Sequence, residues 1–520
     1  MATICDLNDS EGLPSTVRCD VCIIGAGAAG LYLANRLSSG GLNVILLEAG
    51  GASCSPGAKV GIDAVFAGSR YAGALEGRAF GLGGTTSSWG GLLAPHSDLD
   101  LRDGRGLEAE AWEKTVRDVR QNSGAVFSAL GLGRDVDFLE LPSLHRCKVV
   151  ESLRRTGLET LATEFLPFWR RNLTYLLRGS GSRKVEVYLN SVAAEWTFDG
   201  GAEGRVASVE VRSPTGRKLR VEADNYVVAA GAIESTRILL EINRATEQRL
   251  LPHSARTGQC LSDHLSCAIA NVAPEDRMTA ARLFGPIFIR RRMRSFRFVE
   301  RSVDSLVPRH FAHFIFDIQN PGFDLARTLL SSLQARTAPR IGMTEIIKGV
   351  SGLSKLAYAR LLRSRLFISE RTAAHLQLDI EQHPAAENRV YLGDELDRHG
   401  RPVAVIDWSI TPLDYVRIEE LSRRLLLKWP GPELGLPALI PTEQKGAEAK
   451  PYDAYHPVGT CRMGSDNEAT VDLTLRVQGT ENLYVLSTAV FPSAGTANPT
   501  FSMLCLGETL AQKFTNLHAA

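Results

Sequence analysis

The stretch VCIIGAGAAGLYLANRLSSGGLNVILLEAGG, residues 21–51, constrains this chain more than any other. A short apolar run, Val21 to Ile24, ends in Gly25, Gly27 and Gly30 at the spacing G-x-G-x-x-G. Leu31 to Leu37 continue as a helix, and a second apolar run, Asn43 to Leu47, ends at Glu48. Strand, glycine turn, helix, strand and acid in that order predict a dinucleotide-binding βαβ unit. Gly25 permits the tight turn, Gly27 lets the backbone approach a pyrophosphate, and Gly30 lets helix pack on strand. The helix N-terminus, at Ala28, offers N–H groups and a partial positive charge to phosphates. Glu48 lies where its carboxylate accepts hydrogen bonds from an adenosine ribose, with Ala49 beside it.

The motif serves FAD and NAD alike. FAD is favoured because the unit lies near the start of the chain, is followed by AGG rather than a third simple strand, and has no second fingerprint downstream. RGSGSR at residues 178–183 has glycines but neither a buried strand before it nor a helix after it. Disulfide reductases need a second dinucleotide site and a C-x-x-x-x-C pair, and both are missing.

At 520 residues the chain exceeds what one core holds, so two or three domains are expected. The formal net charge of +1 gives no global field for nucleic acid. The first residues lack the basic start and apolar run of a signal peptide, and no apolar segment is long enough to span a bilayer. Nine cysteines without a repeating interval favour reduced thiols, hence a cytoplasmic location. Cys19 and Cys22 have C-x-x-C spacing, but three apart on a strand they face opposite ways and cannot clasp one metal. Cys260 and Cys267 have no second pair at metal-finger spacing, so no metal is expected.

Further along, residues 107–132 read as a helix and residues 184–195 as a strand. A turn at Asp199–Gly200 leads into residues 203–235, which read as a β-meander with a further turn at Thr215–Gly216. The strand Tyr226 to Ala229 runs into Gly231 and a helix. Residues 373–410 alternate with polar turns, which suits an antiparallel sheet walling a cavity. The tail from Asn482 returns to strand, loop and helix.

Six blocks, in order, resemble the glucose–methanol–choline (GMC) family of FAD-dependent oxidoreductases. They are the fingerprint with Glu48, LGGTTSSWGG at 82–91, VVAAGAIEST at 227–236, GQCLSDH at 258–264, YHPVGTCRMG at 455–464, and NLYVLSTAVFP…NPT at 482–500. The segment EQHPAAENRVYLGDELDRHGRPVAVIDW is similar to the bacterial sugar-oxidising branch, near pyranose oxidases and fructose dehydrogenase flavoprotein subunits.

The resemblance implies an α/β fold: a Rossmann-like FAD-binding domain with a mixed α+β substrate domain carrying an antiparallel sheet. Residues 1–264 would form the main part of the FAD domain. Residues 265–450 would form the substrate domain, with a basic insertion at about 282–371. Residues 451–520 would return to the FAD domain with the catalytic pair. It also implies cofactor contacts at Arg78, at Gly83, Gly84, Thr85, Ser88 and Trp89, at Val192, at Ala230 and Gly231, at Thr488 and Ala489, and at Pro499 and Thr500. Trp89 reads as packing beside the flavin. Many relatives carry a flavin-linking histidine just after the GG-x-S turn. GGTTSSW offers Ser87 and Ser88 instead, so the FAD is expected to be non-covalent.

His456 falls where such enzymes carry a catalytic histidine, and Asn498 where they carry its His or Asn partner. Oxidising an alcohol removes a hydride from carbon to flavin N5 and a proton from oxygen, which a neutral imidazole can take near pH 7. Asn498 can hold the same oxygen so that the C–H bond stays aimed. Standing before Pro499, it is also a natural N-cap for the final helix.

The expected substrate is a primary or secondary alcohol on a sugar or polyhydroxylated small molecule. The expected electron acceptor is O2, a quinone or a redox protein. Glu381 and Gln382, adjacent on a strand, are candidates for sugar hydroxyls, with alternation allowing only one to face the cavity. The basic 282–371 segment reads as a solvated face, or as a contact for an anionic substrate, a membrane surface or an acidic partner. The alternatives are a lyase of the same fold and a non-catalytic flavin-fold protein.

Overall fold

The computed structural model describes residues 1–9, 12, 14–101, 108–133, 149–179, 184–199, 204–289, 292–300, 307–339, 341–442 and 450–519. Gly200 of the expected first turn, residues 180–183 of RGSGSR, Leu107 of the expected helix and residues 290–291 of the basic run lie outside them.

The opening apolar runs become parallel strands because they are apolar on both faces. Val44–Leu47 is buried at every position, as a strand with layers on both sides must be. Thr16–Ile24 pairs in parallel with Val44–Leu47 on one side and with Lys218–Val228 on the other. Val185–Leu189 and Thr3–Asp6 extend the sheet beyond Val44–Leu47. The meander, Val192–Phe198, Val206–Arg212 and Lys218–Val228, joins antiparallel, and Leu483–Val485 pairs in parallel with the end of Lys218–Val228. The register brings Ile24, Leu47, Val228 and Val485 level at one edge. Every loop that leaves those strand ends therefore starts at one place, the crevice where α/β sheets bind ligands.

Helix Ala28–Ser39 packs against helix Pro499–Ala519, tied by Tyr32 and Arg36, both donating to Glu508. The last 21-residue helix thus folds back onto the first βαβ unit. Its Phe501, Leu504, Cys505 and Phe514 join the same core. Each of these Leu and Phe side chains contributes about 1.5–3 kcal/mol on full burial.

A second sheet is antiparallel throughout, in the order Leu439–Pro441, His264–Val272, Ala373–Glu381, His310–Asp317, Arg292–Glu300, Leu158–Phe165 and Leu92–Leu93. Leu92–Leu93 and Leu158–Phe165 reach it from the first 264 residues of the chain. The alternating stretch 373–410 splits. Ala373–Glu381 joins this sheet, whereas Arg389–Leu396 and Pro402–Asp407 form a separate three-stranded sheet with Ala64–Phe66. Pro384, which lacks an N–H, interrupts the pairing between them.

Within the basic segment a helix runs Met343–Leu362. Glu345 turns back to the Gly342 N–H and starts it. After Leu362 the chain leaves the helix so that Ser364 and Leu366 can bond Phe288 and Pro286. No helix among the described residues is long and apolar enough to cross a membrane.

Candidate active site

The loops leaving the parallel strand ends enclose a cavity of about 1300 Å³, its open mouth included. Gly25, Gly27, Ala28, Glu48 and Ala49 from the first βαβ unit line it. So do Arg78, Gly84, Thr85, Trp89, Val192, Ala230 and Gly231, and, from the C-terminal segment, His456, Thr488, Pro499 and Thr500. Gly30, Gly83, Ser88, Ala489, Asn498, Glu381 and Gln382 are not part of its wall.

The glycines explain the shape. Gly25 has φ +110°, and a Cβ there would lie 2.6 Å from the Ala229 carbonyl oxygen, so neither backbone nor space admits a side chain. Gly27 has nothing within 4 Å on its Cβ side, which leaves the turn open to the cavity. The helix it precedes has no side-chain cap, so its first N–H groups are available to an anion. Gly30 stays out of the wall because it packs directly on the Gly25 carbonyl. Gly83 donates its N–H to the Ala26 carbonyl at 3.0 Å, pressing the 83–89 loop against the turn. Ser88 is exposed and Ala489 is buried. Trp89 lines the cavity and donates Nε1–H to the Arg171 carbonyl at 2.7 Å.

Glu48 is buried, and its carboxylate accepts from the N–H groups of Ala26, Gly50 and Gly81 at 2.8–2.9 Å. Burial pushes its pKa up to about 7 against those three donors. An open glycine turn, an uncapped helix and a carboxylate at the second strand end together fit a dinucleotide. Within the wall Glu234 meets Arg78 and Arg401, while Arg237, which does not line the cavity, bonds Asp397 at 2.6 Å. Burial alone would raise Glu234, but Arg237, Arg401 and Arg78 overcome it and bring the carboxyl to about 2.

At the other end, His456 sits in a hydrogen-bonded row whose direction is forced. His264 Nε2 lies 2.9 Å from the Gly495 carbonyl, which only accepts, so Nε2 carries the proton and Nδ1 a lone pair. His264 Nδ1 is 3.1 Å from His456 Nδ1, which must therefore carry its own proton. Arg297 only donates, and it gives Nη2–H to Asn498 Oδ1 at 2.8 Å. That turns the Asn498 amide nitrogen toward His456 Nε2, at 3.1 Å, where the imidazole presents its lone pair. His456 is thus a neutral imidazole with one defined tautomer. Burial, and then His264, depress its pKa to about 3. Its backbone N–H donates to both oxygens of Asp263 at 2.9 Å, and Asp263 in turn accepts from the Tyr71 hydroxyl. Burial raises Asp263 to about 8.

Ligand atoms of Asp263, His264 and His456 lie within 4.8 Å of one another, a spacing a metal ion accepts. The two Nδ1 atoms are already bonded to each other.

Neither sugar-binding candidate reaches the cavity. Gln382 is fully buried, accepting from Trp408 Nε1 and donating to the Ser409 carbonyl. Glu381 accepts from the Arg309 N–H and from Ser493. Glu381 ends strand Ala373–Glu381, inside the sheet, and Gln382 follows it, so the polar atoms of both side chains are taken up by protein.

His264, Arg297 and Gly495 had no role in the sequence reading. His264 stands inside the GQCLSDH block, which was the available signal. Arg297 belongs to the basic run read as a solvated face. Its place between Phe296 and Phe298 on one strand is the trace of its burial.

Residues 384–507 match the family model described as GMC oxidoreductase, and residues 20–76, which hold the first βαβ unit, match that of lycopene cyclase protein. The 6'''-hydroxyparomomycin C oxidase of Streptomyces lividus is 25% identical over 93% of this chain and 89% of its own length. The paromamine 6'-oxidase of Streptomyces fradiae is 33% identical over 25% of this chain and 24% of its own length. Pyridoxine 4-oxidase from Mesorbium loti superposes with a TM-score of 0.58 at 20% identity, covering 95% of this chain and 99% of that one. An R554A formate oxidase from Aspergillus oryzae does so at 0.57 and 16%, covering 98% and 100%. Matches, fold and glycine cradle agree: the chain resembles the FAD-dependent oxidoreductases of the GMC family, whose model its residues 384–507 match.

Proposed function

We propose that this protein oxidises a primary or secondary alcohol, on a sugar or other polyhydroxylated small molecule, to the carbonyl. The observation that carries this reading is the tautomer of His456, a neutral imidazole in the cavity wall with its lone pair at Nε2. A substrate hydroxyl that displaces the Asn498 amide from Nε2 gives its proton to that lone pair, and the displaced amide donates to the same oxygen. Arg297 holds Asn498 in the orientation this needs. When bound, FAD supplies the hydride acceptor at N5. The names of the relatives, oxidases of 6'''-hydroxyparomomycin C and paromamine, support a polyhydroxylated substrate.

In this reading residues 1–264 and 451–520 hold FAD and residues 265–450 cover the substrate, with two strands lent to that sheet from the first part. The cofactor is held without a covalent bond. Ser87 is spent on the Gly84 carbonyl, and Ser88 lies outside the cavity wall. Eight described cysteines are free thiols, which supports a cytoplasmic location. The electrons pass on to O2, a quinone or a redox protein.

The test is the visible spectrum of the purified protein under anaerobic conditions, before and after a panel of sugars and alcohols. One compound is expected to bleach the oxidised flavin band, and His456→Ala is expected to keep the band but lose the bleaching. A yellow protein that turns over a substrate with no bleaching would replace this reading with a lyase. A colourless protein that FAD cannot reconstitute would end it.

A further inference from the structure

Between strands His310–Asp317 and Ala373–Glu381 the chain forms a hairpin of two helices, Pro321–Ala335 and Met343–Leu362. Their contact is built from small residues. A Cβ on Gly322 would fall 2.4 Å from the Gly352 backbone, and one on Gly349 2.5 Å from the Leu325 side chain. With Gly322, Leu325, Gly349 and Gly352 filling the seam, the large apolar side chains are turned outward. On the second helix Met343, Ile347, Val350, Tyr358 and Leu361 recur at helical spacing, with Ser354 completing the stripe, so they share one face. They are 71%, 68%, 58%, 53% and 78% exposed. Leu329, Leu330 and Leu333 add exposed apolar surface on the first helix. A stripe of this kind marks an interaction site.

The charge says what covers it. Residues 321–365 contain eight Lys and Arg (Arg327, Arg336, Arg340, Lys348, Lys355, Arg360, Arg363, Arg365) against two acids, Asp324 and Glu345, in a chain whose net charge is +1. Lys348, Lys355, Arg336 and Arg363 are exposed. A second copy of the hairpin would set like charges against each other. An apolar stripe bordered by exposed basic side chains matches an anionic bilayer, with the stripe among the acyl chains and the cations at the headgroups. The helix is not apolar enough to span the bilayer, so it lies in the interface.

We propose that this hairpin docks the protein on an anionic lipid surface. It is tied to the cavity. Gln334, near the end of the first helix, donates to the carbonyls of Thr86 and Trp89 at 3.0 and 2.9 Å, and both residues line the cavity wall. Docking therefore holds the cofactor loop close to the membrane.

The FAD-loaded full chain is floated with vesicles of phosphatidylglycerol and phosphatidylcholine, and with phosphatidylcholine alone. It is expected to co-float with the anionic vesicles at low salt, to be released by high salt, and to bind the neutral ones at least tenfold more weakly. Lys348→Gln/Lys355→Gln is expected to weaken anionic binding roughly thirtyfold, the loss for two cations at such a surface. Ile347→Ser/Leu361→Ser is expected to abolish flotation. Both variants should keep the flavin spectrum and anaerobic reduction of the parent. Failure to float with anionic vesicles at low salt would overturn the proposal. So would a concentration-dependent dimer that Ile347→Ser/Leu361→Ser alone dissociates, which would assign the face to a second copy.

Discussion

Replacing His264 tests the forced direction of the row that ends at His456. In the observed arrangement the Nδ1–H of His456 points at His264 Nδ1, and its Nε2 lone pair meets the Asn498 amide. The other tautomer would set a lone pair against a lone pair at one end and a donor against a donor at the other. His264→Ala removes one of these two constraints and leaves the Gly495 carbonyl and the His456 Nδ1–H buried without partners. Each such loss is worth about 1–3 kcal/mol. One constraint's worth of bias toward the active tautomer is then gone, so kcat/KM should fall by about ten- to a hundredfold at neutral pH. His264→Asn separates this from mere loss of packing. Asn is also smaller than His, so it too leaves space against Phe311, the ring that His264 meets edge-on. Its Oδ1 can accept from His456 Nδ1–H while its amide nitrogen faces the Gly495 carbonyl. Recovery of most of the kcat/KM by Asn, with thermal stability lowered in both variants, is the expected result. Equal kcat/KM in the Ala and Asn variants, or a wild-type value for Ala, would refute the argument from hydrogen-bond direction.

Asn498→Ala should cost about 1–3 kcal/mol in kcat/KM, since it removes one donor to the reacting oxygen and leaves buried Arg297 short of an acceptor; Asn498→His, measured beside it by steady-state kinetics, should recover part of the loss. Gly25→Ala should purify without bound FAD, read as the ratio of visible to ultraviolet absorbance, because a Cβ would meet the Ala229 carbonyl at 2.6 Å on a backbone with φ +110°. The pKa of His456, depressed in the folded state to about 3, fixes a sign: below about 6.5 the unfolded chain binds a proton there that the folded chain refuses, so stability is full above pH 6.5 and erodes as pH falls toward 3. Denaturant titration at pH 7 and pH 5 should therefore show an acid-induced loss smaller by about 2 kcal/mol in His456→Asn than in the parent. The difference between the two proteins cancels Glu48 and Asp263, whose raised values act in the opposite direction.

What the amino-acid sequence determined by itself is local. The glycine unit is legible because its parts are neighbours along the chain and each glycine answers a constraint within a few residues of it. Apolar runs such as Val44–Leu47 read as strands buried on both faces for the same reason. The pairing of His456 with Asn498, 42 residues apart, came from resemblance, because no local pattern predicts that two loops leave neighbouring strand ends.

Glu381 and Gln382 show the limit from the other side. Alternation says that adjacent residues face opposite ways, but not which layer each face meets, and here both faces are filled by protein. Arg297 shows it again: a basic run reads as solvated until a sheet closes over one of its members. Only the tertiary structure decided the direction of the hydrogen bonds at His456. That direction is imposed by groups distant in the chain, a carbonyl at Gly495 that can only accept and a guanidinium at Arg297 that can only donate.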